Sequence, residues 1–321
     1  MGKRAGRGFF VGRGFFVGRG FLVGRGFLVG RGFSPGIALV CVASVVAGTK
    51  APAHESAPAF GLEAAFDQSA SPAQPKPRFR VCADPQNMPF SNDKLEGFEN
   101  RIAELVAKDF GATPSYIWWG QRQGFIRNTM NATLEEGRCD IVIGVPDKYD
   151  LVLTTRPYYR STYVFVYVKG KHTIRSLDDP ALKKLKIGVH LIGDDYANPP
   201  PVHELSRRGI VTNVVGFSTF YSAENPPSTI IDAVAQGRID LAVVWGPVAG
   251  YFATKQRIPL HIVPVPSKKG ELPFTFDIAM GVKRGNEPLR KQLQQVLDRR
   301  QTEITGILRT YGVPLVDRGQ R

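Results

Sequence analysis

"GRCDIVIGV" (137–145) and "GRIDLAVVW" (237–245) decide how this chain is read. They lie one hundred residues apart, each between a stretch of helical periodicity and an apolar run. A Gly that stops a helix, followed by apolar residues without polar alternation, marks entry into a strand buried on both faces of a parallel sheet. Alone, Gly-Arg-x-Asp requires no more than helix termination ahead of a strand, so its place within each half carries the argument. In the first half "RFRVCAD" (78–84) precedes a helix predicted over 98–110, with Phe98, Ile102, Leu105 and Val106 at helical spacing and Gly111 as its stop. A further helix is predicted to end at Gly137. In the second half "LKIGVH" (185–190) precedes "DAVAQ" (232–236) and then the second Gly-Arg-x-Asp. Two such units predict an α/β chain of two lobes, with a ligand held in the cleft at the carboxyl ends of the strands.

The N-terminal region reads differently. Residues 6–33 repeat a six-residue "GRGFFV"-type unit, too short to form the stacked elements of a solenoid. Ile37 to Ala47 is an uncharged, mostly apolar run ending in small residues at Ala51-Pro52-Ala53, the order of a secretory signal peptide. The run is shorter than the roughly 20 residues needed to span a bilayer, so export without a membrane anchor is expected. Residues 1–53 are read as a basic repeat plus signal peptide, and the Ala-, Pro- and Ser-rich 54–77 as a linker. Of 42 Lys and Arg, eight lie in 1–53, leaving 34 against 28 Asp and Glu, a net charge of +6. The remaining basic residues are dispersed among acidic ones, which argues against a nucleic-acid partner. Beyond residue 53 the only cysteines are Cys82 and Cys139, and in an oxidising compartment they are expected to form a disulfide.

Five stretches carry a resemblance to a known family: "RVCADPQNMPFSN" (80–92), "GFENRIAELVAKDFG" (97–111), "WWGQRQGFIRNT" (118–129), "GRCDIVIGVPDKYDLVLTTRPYYRSTYVFVY" (137–167) and "FDIAMGVKRGNEPLRKQLQQVLDRR" (276–300). From about Arg78 to Val316 the chain resembles the type II periplasmic solute-binding proteins, and most closely their quinoprotein-dehydrogenase-associated branch, methanol oxidation system protein J. The resemblance implies a two-lobed type II periplasmic-binding-protein fold with a central cleft and two hinge crossings, near "TYVFVYVKG" (162–170) and "VPVPSKKGELPF" (263–274). It implies lobe 1 from 78–168 and 265–321, with lobe 2 inserted as 169–264. Leu289, Leu293, Val296 and Leu297 are helical in spacing and expected to pack on lobe 1.

The resemblance also implies a role: a periplasmic accessory that binds a PQQ-dependent alcohol dehydrogenase, with or without its cytochrome c; no cofactor of its own is assigned. The alternative is a receptor that delivers a small ligand to an ABC transporter. Amino-acid-binding relatives clamp the ligand carboxylate with an Arg where this chain has Pro146-Asp147-Lys148-Tyr149-Asp150, and its ammonium with a carboxylate where this chain has Trp245-Gly246-Pro247. An α-amino acid ligand is therefore not expected. Aromatic and basic residues stand out instead: Trp118, Trp119, Gln121, Arg122, Phe125 and Arg127 in one stretch, Arg156, Tyr158, Tyr159 and Arg160 in another. Trp119, Arg122, Tyr158 and Trp245 are the foremost contact candidates, being residue types that dominate interfaces. Asp84, Asn87, Phe90, Gln121, Arg127, Tyr149, Arg156 and Tyr159 complete the candidate ligand- or partner-binding set, although large aromatic residues are commonly core.

Catalytic patterns are weak. His-Glu-x-x-His, Gly-x-Ser-x-Gly and the P-loop are absent from the sequence. His190 with Asp194 and Asp195 reads as a strand end and a solvated turn rather than a metal site. Some members of the superfamily are dehydratases, which leaves an enzyme as a third and weaker reading.

Overall fold

A computed structural model describes residues 78–132, 138–192 and 198–317. The residues expected to form the basic repeat, the signal peptide and the linker lie outside the described residues. So do Asp194 and Asp195, and the end of the helix expected at Gly137.

The described chain runs β1 (Arg78–Ala83), β2 (Gln86–Asn87), β3 (Ser91–Asn92), α1 (Phe98–Asp109), β4 (Thr113–Trp118), α2 (Phe125–Asn128), β5 (Ile141–Pro146), β6 (Leu153–Thr154) and β7 (Tyr159–Val168). It continues with β8 (Ile187–Leu191), α3 (Pro200–Arg207), β9 (Val214–Ser218), α4 (Thr229–Ala235), β10 (Leu241–Trp245), α5 (Gly246–Ala253), β11 (Leu260–Pro264), β12 (Thr275–Val282), α6 (Glu287–Arg299) and α7 (Gln301–Thr310). The main sheet follows the order β4-β1-β5-β12-β7-β10-β8-β9. Its two ends have the same plan. In one, β1 pairs in parallel with β4 and β5, and β12 closes on β5 antiparallel. In the other, β8 pairs in parallel with β9 and β10, and β7 closes on β10 antiparallel. The long strand β7 joins them: Tyr159 to Thr162 pair with β12, whereas Val164 to Val168 pair with β11.

The repeated sequence phrase has one physical job in both halves. Asp140 donates its backbone N–H to the Arg80 carbonyl at 2.9 Å and accepts the Arg80 backbone N–H on its carboxylate at 3.2 Å. Asp240 does the same with Lys186, at 2.9 Å and 2.7 Å. Each Asp thus locks the first parallel strand of its lobe to the strand that follows the phrase. The continuous apolar runs follow from burial on both faces. Ile141 and Ile143 pack into the core with α1, α6 and α7, while Val142 and Val145 face the opposite cluster containing Phe125, Ile126 and Met130. Leu241 and Val243 alternate in the same way with Ala242 and Val244. Full burial of a Val, Leu or Ile contributes about 1.5–3 kcal/mol, so each run stabilises its sheet from both sides.

Helix α1 forms where its spacing predicted, with Phe98, Ile102 and Val106 buried and Gly111 at φ +61° behind it. Leu293, Val296 and Leu297 of α6 join the same core. Cys82 and Cys139 are disulfide-bonded, with their Cα atoms 5.4 Å apart. Behind the junction of the two sheet halves, the segment after α7 packs on α5. A Cβ at Gly250 would stand 1.8 Å from the Gly312 carbonyl oxygen, and the rings of Tyr251 and Tyr311 stack with centroids 5.6 Å apart. Among the described residues no helix is long and apolar enough to cross a membrane.

Candidate functional site

The strand ends carry the site. Asp84 follows β1, is buried, and its two carboxylate oxygens accept the backbone N–H groups of Gln86 at 2.9 Å and Gln121 at 2.6 Å. Gln121 in turn accepts a hydrogen bond from the Asn87 side chain at 2.8 Å. These bonds tie the loop after β1 to the loop after β4. With Phe90 and Trp245 they form part of the lining of a cavity of about 360 Å³. Residues from the other half complete it, among them Tyr163, His190, Thr219 and Tyr221. Pro146 and Trp245, the first residues of the two stretches where a zwitterion clamp is expected to be missing, both line this cavity.

The cavity wall is aromatic on one side. The Trp245 ring lies 5.2 Å from Tyr163 and 5.9 Å from Phe276. On the other side it is acidic. Gly144, at φ +82°, lines the cavity, and a Cβ there would come within 2.0 Å of Glu99 Oε1. Only a glycine therefore leaves room for the Glu99 carboxyl behind it. Burial, and then the neighbouring Asp84 charge, hold that carboxyl well above the ordinary value for Glu. Burial pushes the His190 imidazole down to about 4, which leaves it neutral near pH 7. Tyr221 is raised by burial and by Asp84.

At the mouth, Arg122 stands over the Phe220 ring with its guanidinium carbon 5.3 Å from the centroid. Phe220 is exposed there, at 47 %, and Trp119, which follows β4, is exposed at 39 %. Other candidates lie elsewhere. Tyr158 and Tyr159 belong to the core of the β1–β5 half, at 2 % and 5 % exposure, and Tyr159 packs edge-on against Phe98. Neither is available as a contact residue, because both rings are buried in the core shared with α1, α6 and α7. Arg156 is exposed on the far face, paired with Asp298 of α6 at 2.7 Å. Arg127 is exposed on α2, and Tyr149 is half-buried against the cluster around the disulfide. Sequence reasoning missed Glu99, Tyr163, His190, Tyr221 and Phe276. Glu99 sits inside a helix pattern and the others in strands or their flanks, so only their position at the strand ends distinguishes them.

The model of one family matches residues 79–313. The chain belongs to the bacterial extracellular solute-binding proteins, family 3. Within this solute-binding family it is 30% identical to "Protein MoxJ" of Methylorubrum extorquens over 289 residues, 86% of this chain and 94% of that protein. The crystal structure of the periplasmic binding protein XoxJ from Methylobacterium extorquens AM1 superposes with a TM-score of 0.62 at 36% identity, covering 74% of this chain and 99% of that one. MxaJ from Methlophaga aminisulfidivorans gives the same TM-score at 25% identity, covering 74% of this chain and 100% of that one. The two-lobed type II fold and its relationship to solute-binding proteins are thereby established for this member of the family.

Proposed function

We propose that this solute-binding family member works in the periplasm as an accessory of a PQQ-dependent alcohol dehydrogenase, assisting its assembly or activation by docking on it. The observation that carries the reading is that Pro146 and Trp245, which open the two stretches where the resemblance finds no clamp Arg and no clamp carboxylate, line the cavity, because a receptor for amino acids needs charge partners there. Its similarity to MoxJ, XoxJ and MxaJ and its resemblance to the quinoprotein-dehydrogenase-associated branch support the identity of the partner. The exposed Trp119, with Arg122 and Phe220 at the mouth, supplies the residue types that anchor protein interfaces. Pull-down of the dehydrogenase from periplasmic extract tests the reading. Wild type captures it, and Trp119→Ala with Arg122→Ala weakens capture by about 2 kcal/mol while unfolding stays cooperative. Failure of the wild type to capture any quinoprotein at low or moderate salt overturns it.

A receptor for a small ligand is the second reading, favoured by polar groups that line the cavity without hydrogen-bond partners among the described residues. Native mass spectrometry of protein from its own periplasm separates the two: a retained small ligand supports the receptor, co-purifying dehydrogenase the accessory.

A further inference from the structure

The cavity has a one-sided chemistry. Phe90, Tyr163, Tyr221, Trp245 and Phe276 supply ring surface, and Asp84 supplies a carboxylate. Among the described lining residues there is no Lys or Arg. The Glu99 carboxyl stands directly behind Gly144.

His190 is 8 % exposed and lines this cavity, and among the described residues its ring has no hydrogen-bond partner. The hydroxyls of Tyr163 and Tyr221 likewise have none, so three polar groups face the cavity with unused hydrogen-bonding capacity. Buried polar groups are normally paired, and those left over in a cavity wall mark where a ligand makes its bonds. Asp84 keeps capacity too. Each of its oxygens accepts one backbone N–H, and a carboxylate offers about four lone-pair sites in all.

We propose that this cavity binds an alkylammonium ion, with Asp84 as its charge partner and the rings of Trp245, Tyr163 and Phe276 as its aromatic wall. An anion meets the Asp84 charge with no cation to offset it. A zwitterionic amino acid gains Asp84 but leaves its carboxylate unpaired in a desolvated site, which is unfavourable. An ammonium carries only the charge the cavity can balance, and aromatic faces attract it through their quadrupoles. Neutral His190 and the tyrosine oxygens can accept N–H bonds from a primary ammonium. At about 360 Å³ the cavity lies near the small end of ligand pockets, which span about 300–1,000 Å³.

Calorimetry on the purified protein tests this with propylammonium, choline, and the uncharged isostere of choline in which carbon replaces the quaternary nitrogen. At least one of the two cations binds, and the isostere binds about tenfold or more weakly than choline if choline is the one bound. Trp245→Leu and Asp84→Asn each weaken the bound cation by about tenfold with an unchanged unfolding transition. The comparison within the wild type keeps the test decisive even if Asp84→Asn perturbs its loop. Equal binding of choline and its isostere, or no binding of either cation at millimolar concentration, overturns the proposal. The dehydrogenase is absent from this measurement, so failure here leaves docking untouched, and failure of docking leaves this site standing.

Discussion

Arg122 and Phe220 meet across the mouth of the cavity, the guanidinium carbon 5.3 Å from the ring centroid, although they belong to opposite halves of the sheet. The first follows β4 and the second follows β9. Both are exposed, so the contact falls in the weaker range for cation–π pairs. A double-mutant cycle with Arg122→Ala and Phe220→Ala, read by denaturant unfolding, gives a coupling of about 0.5–1 kcal/mol. Strict additivity of the two single changes would show that the pair does not join the halves.

The Cys82–Cys139 disulfide closes a loop with a sequence separation of 57. On the chain-entropy account a loop of that size contributes about 4 kcal/mol. Replacing both cysteines with Ser lowers stability by about that amount. Titration of the denatured, unreduced protein finds neither Cys82 nor Cys139 as a free thiol.

His190 gives the fold a pH dependence on the acid side. Its ring is buried and its pKa falls from 6.5 to about 4 in the folded state. Between those values the unfolded chain binds the proton and the folded chain does not, so stability falls as pH falls from 6.5 and the loss is complete below 4. At about 1.4 kcal/mol per pKa unit the full effect is about 3 kcal/mol. Carboxylates titrate in the same window, so the measurement is the difference between wild type and His190→Gln. The variant loses less stability on going to low pH, and parallel curves for the two proteins would contradict the assignment.

Gly250→Ala tests the brace behind the sheet junction. The new Cβ would stand 1.8 Å from the Gly312 carbonyl oxygen, a backbone atom that cannot rotate away. Overpacking of this kind destabilises by about 1–3 kcal/mol. Gly306→Ala, where a Cβ meets nothing within 4 Å, serves as the control and leaves the melting temperature unchanged or higher.

Common α-amino acids do not bind. Glycine, glutamine and arginine each bring a carboxylate to a cavity whose described lining holds no cation. Calorimetry shows no micromolar binding for any of them. Micromolar affinity for one would restore the transport reading.

The halves of this protein, their buried strands and the family itself were legible in the sequence. Helix α1 announced itself through Phe98, Ile102 and Val106 at 3.6-residue spacing, and β5 and β10 through apolar runs that only a doubly covered sheet tolerates. Local pattern reports how a residue is covered, but it cannot report what lies across from it. Tyr158 and Arg156 look like surface contacts in one dimension, yet one packs beneath α1 and α7 and the other pairs with Asp298, 142 residues away. Glu99 and His190 read as one more helical Glu and one more strand residue. Tertiary structure decided their meaning by bringing the ends of β1, β5, β8 and β10 around one cavity, where Glu99 loses water beside Asp84 and His190 has no hydrogen-bond partner among the described residues. Long-range burial sets the charge and hydrogen-bonding state of such groups, and no window of sequence contains both sides of that contact.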